Sequence, residues 1–354
     1  MPIWAWAAPV AACLLLLGTW TGLAPSSSVV VLLAAAALLV AAVFASVHHA
    51  EIIAHRLGEP FGSIVLAVAV TVIEVALIIS IMLAAKAGSD VLARDTVFAT
   101  LMIVLNGIVG LCLMLGSLRH YEQSFSTDAA TAALSVLVTL AVITLVLPNY
   151  SLATPGPVYA PAQLIFVGIV SAILYCVFLF FQTVRHPVYF VIEADGDDGP
   201  PPSAGRAWAS LALLGLALVA VVLLAKALSP SLEDAVAAAA LPKAFVGVVI
   251  AGVVLLPEGL AAVRAAAANR LQSSLNLAVG SAMATIGMTV PVVSVSALVF
   301  DRRLTLGLQP EEMVLLLLTL FTSTVTLATG RTTILQGAVH LVIFAVFLMF
   351  AAVP

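Results

Sequence analysis

Apolar residues in this chain neither alternate with polar ones nor keep to one helical stripe; they gather in eleven long runs separated by short polar breaks. The runs lie near residues 3–23, 29–47, 61–85, 96–117, 129–147, 162–183, 207–228, 245–263, 275–300, 313–329 and 332–352. Crossing a hydrocarbon core takes about 20 apolar residues, so each run predicts one membrane-spanning helix. A transmembrane strand would show alternation in segments of about ten residues, which these runs lack. The expected fold is therefore an all-α integral membrane protein of about eleven transmembrane helices.

Two acidic residues break the pattern where it should be purest. Glu74 falls in the middle of the third run and Glu258 in the eighth. A charged side chain at a helix centre costs at least about 2.5–3.5 kcal/mol on insertion scales, which points to an ion or proton pathway. Composition agrees with a multi-pass protein of a bacterial-type inner or plasma membrane: of 354 residues, 63% are hydrophobic and only 8% charged. The net charge of −4 comes mostly from one acidic loop, 193–198, and implies no nucleic-acid partner. That loop lacks a calcium-loop pattern and reads as a solvated linker. Cys13, Cys112 and Cys176 sit in separate runs without metal-ligand spacing and read as small core residues. The first run has no preceding positive charge and is longer than a signal-peptide core, so it reads as a retained helix. Lys and Arg divide almost evenly between alternate loops and leave the orientation open.

The acidic and Pro-rich stretch 193–205 divides six runs from five. With residues 1–27 taken as an extra helix, the remainder becomes a five-helix repeat at 28–192, the linker, and a second five-helix repeat at 206–354. Each glutamate then falls on the second helix of its repeat, followed on the next helix by Ala99-Thr100 and by Gly280-Ser281. A unit with an odd number of helices inserts its copy upside down, the plan in which substrate sites form between repeats near the midplane. Pro257 and Gly259 flank Glu258 and should free backbone carbonyls toward a cavity.

A narrow face with small and polar residues follows each glutamate: Thr96, Thr100, Gly107 and Gly110 with Asn106 at its edge, and Ser274, Ala278, Ser281, Thr285 and Thr289. Ordinary small-residue helix packing uses the same residue types. Thr71 shares the face of Glu74. Two facing carboxylates in a low-dielectric site hold protons or a metal ion, because burial and like charge both raise their proton affinity. Thr71, Thr100, Asn106, Ser281 and Thr285 are the candidate supporting ligands. His340 reads as a hydrogen-bonded packing residue with a proton relay as the alternative. Arg331 reads as an interfacial anchor, and His48, His49, Glu51 and His55 as a solvated helix end rather than a metal site. No nucleotide loop, nucleophile elbow or zinc motif occurs, so neither an enzyme nor a cofactor is expected.

On several stretches together the sequence resembles the ChaA-type calcium/proton antiporters of the cation/calcium exchanger superfamily. These are Leu57-Gly58-Glu59-Pro60-Phe61-Gly62, Val72-Ile73-Glu74-Val75, Val104-Leu105-Asn106-Gly107, Pro257-Glu258-Gly259-Leu260, Asn276-Leu277, Gly280-Ser281, Thr289-Val290-Pro291-Val292-Val293 and Thr329-Gly330-Arg331-Thr332. The resemblance implies one helix plus two inverted five-helix repeats that exchange cytoplasmic cations for protons, with Glu74 and Glu258 as the joint cation and proton site. It also shows departures. Val72-Ile73 and Leu256-Pro257 stand where the broader superfamily often has Gly-Asn, and Ala284 where many relatives place a glutamine. The leading expectation is calcium/proton exchange, with sodium or potassium/proton exchange at the same site and a passive channel as alternatives. Transported cations, protons and the bilayer are the partners it implies; calcium or a monovalent cation is cargo, not cofactor.

Overall fold

The computed structural model describes residues 2–25, 28–58, 65, 68, 69, 71, 72, 75, 76, 78, 79, 91–190 and 201–353. Among them, ten helices are long and apolar enough to cross a membrane, and no strand forms. They are α1 (Ile3–Trp20), α2 (Val29–Leu57), α3 (Leu92–His120), α4 (Thr127–Tyr150), α5 (Pro161–Arg185), α6 (Ala204–Ala238), α7 (Phe245–Ala267), α8 (Leu271–Val299), α9 (Pro310–Leu327) and α10 (Ile334–Ala352). The third apolar run, 61–85, falls largely outside the described residues; those described between 65 and 79 are helical.

The protein is an all-α, multi-pass integral membrane protein. Each described helix matches one apolar run, but several outlast it. α2 continues ten residues past the run end at 47 through His48 to Leu57, and α6 continues from 228 to Ala238. Helices persist beyond the apolar window because backbone hydrogen bonding does not require apolar side chains and because their ends are capped. Ser203 Oγ accepts from the Arg206 backbone N–H at 3.4 Å at the start of α6, and Gly58 ends α2 in a positive-φ conformation open to glycine.

The chain forms two compact units. Residues 1–85 and 195–246 make the first, 86–194 and 247–354 the second. In the first, α1, α2 and α6 pack on one another through small residues, with Ala12, Ala35 and Ala220 against Leu16 and Leu224. Of the four residues read as a solvated helix end, His49 and in part His48 belong to this packing instead, whereas Glu51 and His55 are exposed as expected. His49 is fully buried with Nε2 3.0 Å from the Ala5 carbonyl, and the His48 ring lies 5.3 Å from that of Trp4. No cluster of three metal-ligating side chains occurs among the described residues.

In the second unit α3 and α8 are the central helices, 83% and 67% buried over their membrane windows, whereas α10 is only 22% buried. Each central helix carries an outer helix along it. Glycines set the closeness of both seams: a Cβ on Gly337 of α10 would lie 2.5 Å from the Met114 nitrogen of α3, and one on Gly287 of α8 would lie 2.7 Å from Tyr175 Cβ of α5. Of the cysteines only Cys112 is buried; Cys13 is half-buried and Cys176 exposed on α5, where an apolar thiol faces lipid at no cost.

Candidate functional site

Glu258 is the fourteenth of 23 residues in α7, halfway along the helix, and it is 6% exposed. Burial at that depth follows from how α7 lies along α3. A Cβ on Gly247 would meet Asp95 at 3.3 Å, and one on Gly259 would meet Ile108 at 3.1 Å, so α7 touches α3 near both of these glycines. Gly247 and Glu258 are eleven residues apart, three helical turns, and share that side. Pro257 has no N–H to give to the Val253 carbonyl one turn back, so that backbone oxygen is released from the helical ladder.

The supporting candidates divide between the units. Thr100 and Asn106 lie on α3, and Ser281 and Thr285 on α8, which packs against α3 in the same unit as Glu258. Thr100, Asn106 and Thr285 are at most 2% exposed, whereas Ser281 is half-buried. Thr289, one turn beyond Thr285, is 1% exposed, and so the α8 face is polar, small and enclosed. Thr71 is buried in the first unit. Glu74 lies outside the described residues.

The polar face expected on α3 is rearranged. A π-helical segment, Ile103–Ile108, interrupts the α-helix and turns the residues after it away from the direction a 3.6-residue wheel assigns. Gly107 and Gly110 consequently face α10, against Phe344 and His340, as packing residues rather than site residues. The Asn106 amide is engaged at both ends: its Nδ2 donates to Thr319 Oγ1 at 2.8 Å, and its Oδ1 lies 3.1 Å from His340 Nδ1. His340 is fully buried, and its Nε2 lies 3.2 Å from Thr326 Oγ1, so both ring nitrogens have partners.

Sequence reasoning missed an ion pair at the start of α3. Arg94 and Asp95 are 5% and 6% exposed, with a 2.6 Å contact between guanidinium and carboxylate, and Arg94 also donates to the Gly307 carbonyl at 3.2 Å. Adjacent charges just before an apolar run read as an interfacial loop; the signal against that reading is that neither residue is separated from the run by a turn residue. Arg331 is exposed, as expected of an anchor, and lies 3.5 Å from Glu122.

The profile of the sodium/calcium exchanger protein family matches residues 27–184 and 209–353. The chain is 55% identical to y4hA of Sinorhizobium fredii (strain NBRC 101917 / NGR234), whose name places it among ionic transporters, over 100% of this chain and 97% of that protein. It is 38% identical to the sodium-potassium/proton antiporter ChaA of Escherichia coli (strain K12), over 87% of this chain and 85% of the relative. Its fold matches native YfkE with a TM-score of 0.76 at 16% identity, covering 99% of this chain and 100% of that one.

Proposed function

We propose that this chain, which belongs to the sodium/calcium exchanger protein family, exchanges cytoplasmic calcium for protons by alternating access, with the carboxylates of Glu74 and Glu258 as the shared cation and proton site. The observation that carries the reading is the buried Glu258 carboxylate halfway along α7, a helix that lies along the central helix α3. A carboxylate there is stable only when its charge is compensated. One calcium ion or two protons leaves a pair of carboxylates neutral, and either loaded state can change access. The empty dianion would have to carry bare charge through a dry barrier, which suppresses leak.

Calcium takes about six to eight oxygens, and two carboxylates supply up to four. Thr71, Thr100, Ser281 and Thr285, the Val253 carbonyl and water are the candidates for the remainder. The second reading is sodium or potassium exchange at the same site, one cation and one proton giving the same neutrality. The sodium-potassium/proton antiport of the 38% identical relative favours it. Proton movement in reconstituted vesicles, read by an internal pH dye as calcium, sodium or potassium is added, separates the two. Calcium-driven proton movement supports the first reading, and movement with monovalent ions alone supports the second. Cation flux without proton movement overturns both in favour of a channel.

A further inference from the structure

Six residues beyond Thr100 on α3 stands Asn106, and six beyond Ser281 on α8 stands Gly287. Both positions face the outer helix of their seam, but the two are built differently. Gly287 meets the Tyr175 side chain by van der Waals contact alone, whereas Asn106 enters a directed chain of hydrogen bonds. The direction of that chain follows from the chemistry of each group. Thr319 Oγ1 donates to Met102 Sδ at 3.4 Å, and its lone pairs accept from Asn106 Nδ2. The amide oxygen of Asn106 only accepts, so the His340 nitrogen 3.1 Å away carries the proton. The other nitrogen, Nε2, pairs with the Thr326 hydroxyl. The imidazole is thereby held with a proton on Nδ1.

Asn106, the group that His340 engages on α3, lies inside the π-helical segment Ile103–Ile108, a widened turn of that helix. The last residue of that segment, Ile108, presses on Gly259, the neighbour of Glu258. We infer that His340, donating its Nδ1–H to Asn106, is a positioning residue for the cation site: it clamps Asn106 and the π-helical turn of α3, and so fixes where Ile108 seats α7 and the Glu258 carboxylate. On this account Asn106 is a strut and not a cation ligand, because both ends of its amide are committed within the clamp. The inference rests on the reading of Glu258 as part of the site.

Three substitutions at one position test it, because asparagine places an amide nitrogen near where Nδ1 stands, glutamine places one near Nε2, and leucine places none. Cation-driven proton movement in vesicles should show an apparent cation KM within about threefold of wild type for His340→Asn and raised about tenfold for His340→Gln and His340→Leu, the loss of one hydrogen bond to a buried amide. A residue that merely fills space gives the reverse order, with leucine and glutamine tolerated better than the smaller asparagine, and that order overturns the inference. Glu258→Gln in the same vesicles separates the two failures. If it exchanges normally, the site reading itself falls; if it is inactive while all three His340 variants match wild type, only the clamp falls. Should the variants not fold, 15N spectra of histidine-labelled wild-type protein decide: an Nδ1-protonated His340 supports the clamp, and an Nε2-protonated one overturns it.

Discussion

The seam between α3 and α10 and the seam between α8 and α5 solve one packing problem by different chemistry. Each joins a buried central helix to an outer helix through glycine contacts. At the α3 seam His340 of α10 and Asn106 of α3 form a paired chain with Thr319 and Thr326 of the neighbouring α9; at the α8 seam Gly287 lies against Tyr175, with Pro291 one turn further on. Apolar contact tolerates small shifts because dispersion is non-directional, whereas a hydrogen-bonded chain has one low-energy arrangement. The difference teaches that α3 is held to its neighbours by directional bonds, where the α8 seam relies on close packing at a glycine.

The sharpest way to break this contrast is to strike the start of α3, where the Arg94–Asp95 pair has no counterpart in Leu271-Gln272-Ser273 of α8. Arg94→Gln leaves the Asp95 carboxylate buried without its cation and should cost about 3–5 kcal/mol, visible as a large fall in the thermal midpoint in detergent. Next come the glycines. Gly337→Ala drives a methyl group onto the Met114 backbone and should cost about 1–3 kcal/mol, with Gly287→Ala toward the lower end because it meets a side-chain carbon. A subtler pair separates paired from unpaired hydroxyls. Thr319→Val removes the acceptor of the Asn106 amide and should cost about 1–2 kcal/mol. Thr289→Val, at a buried hydroxyl that makes no hydrogen bond, should be neutral or slightly stabilising by the same melting measurement. Arg331→Ala sets the floor, since its contact with Glu122 is exposed and worth about 0–1 kcal/mol.

The membrane-spanning architecture was legible because bilayer thickness sets run length, and each described helix sits on a run that length predicts. Helix ends were less legible: a hydropathy window stops where charge begins, while the backbone bonding of α2 and α6 continues through His48 and Glu233. Glu258 stood out because an acidic residue inside an apolar run contradicts its surroundings, and no partner is needed to see that. The clamp was invisible for the opposite reason. Asn106 finds its partners 213 and 234 residues away, and the π-helical turn that orients it defeats a regular helical wheel. That turn is also why Gly107 and Gly110 are packing residues of the α10 seam although the wheel places them on the polar face.

The central claim is that Glu74 and Glu258 together form the exchange site, and proton-coupled cation flux through Glu→Gln variants in vesicles tests it most directly. The account predicts that Glu258→Gln and Glu74→Gln each abolish coupled flux, since a single remaining carboxylate can neither neutralise calcium nor carry two protons. Wild-type coupled flux in either variant would contradict it.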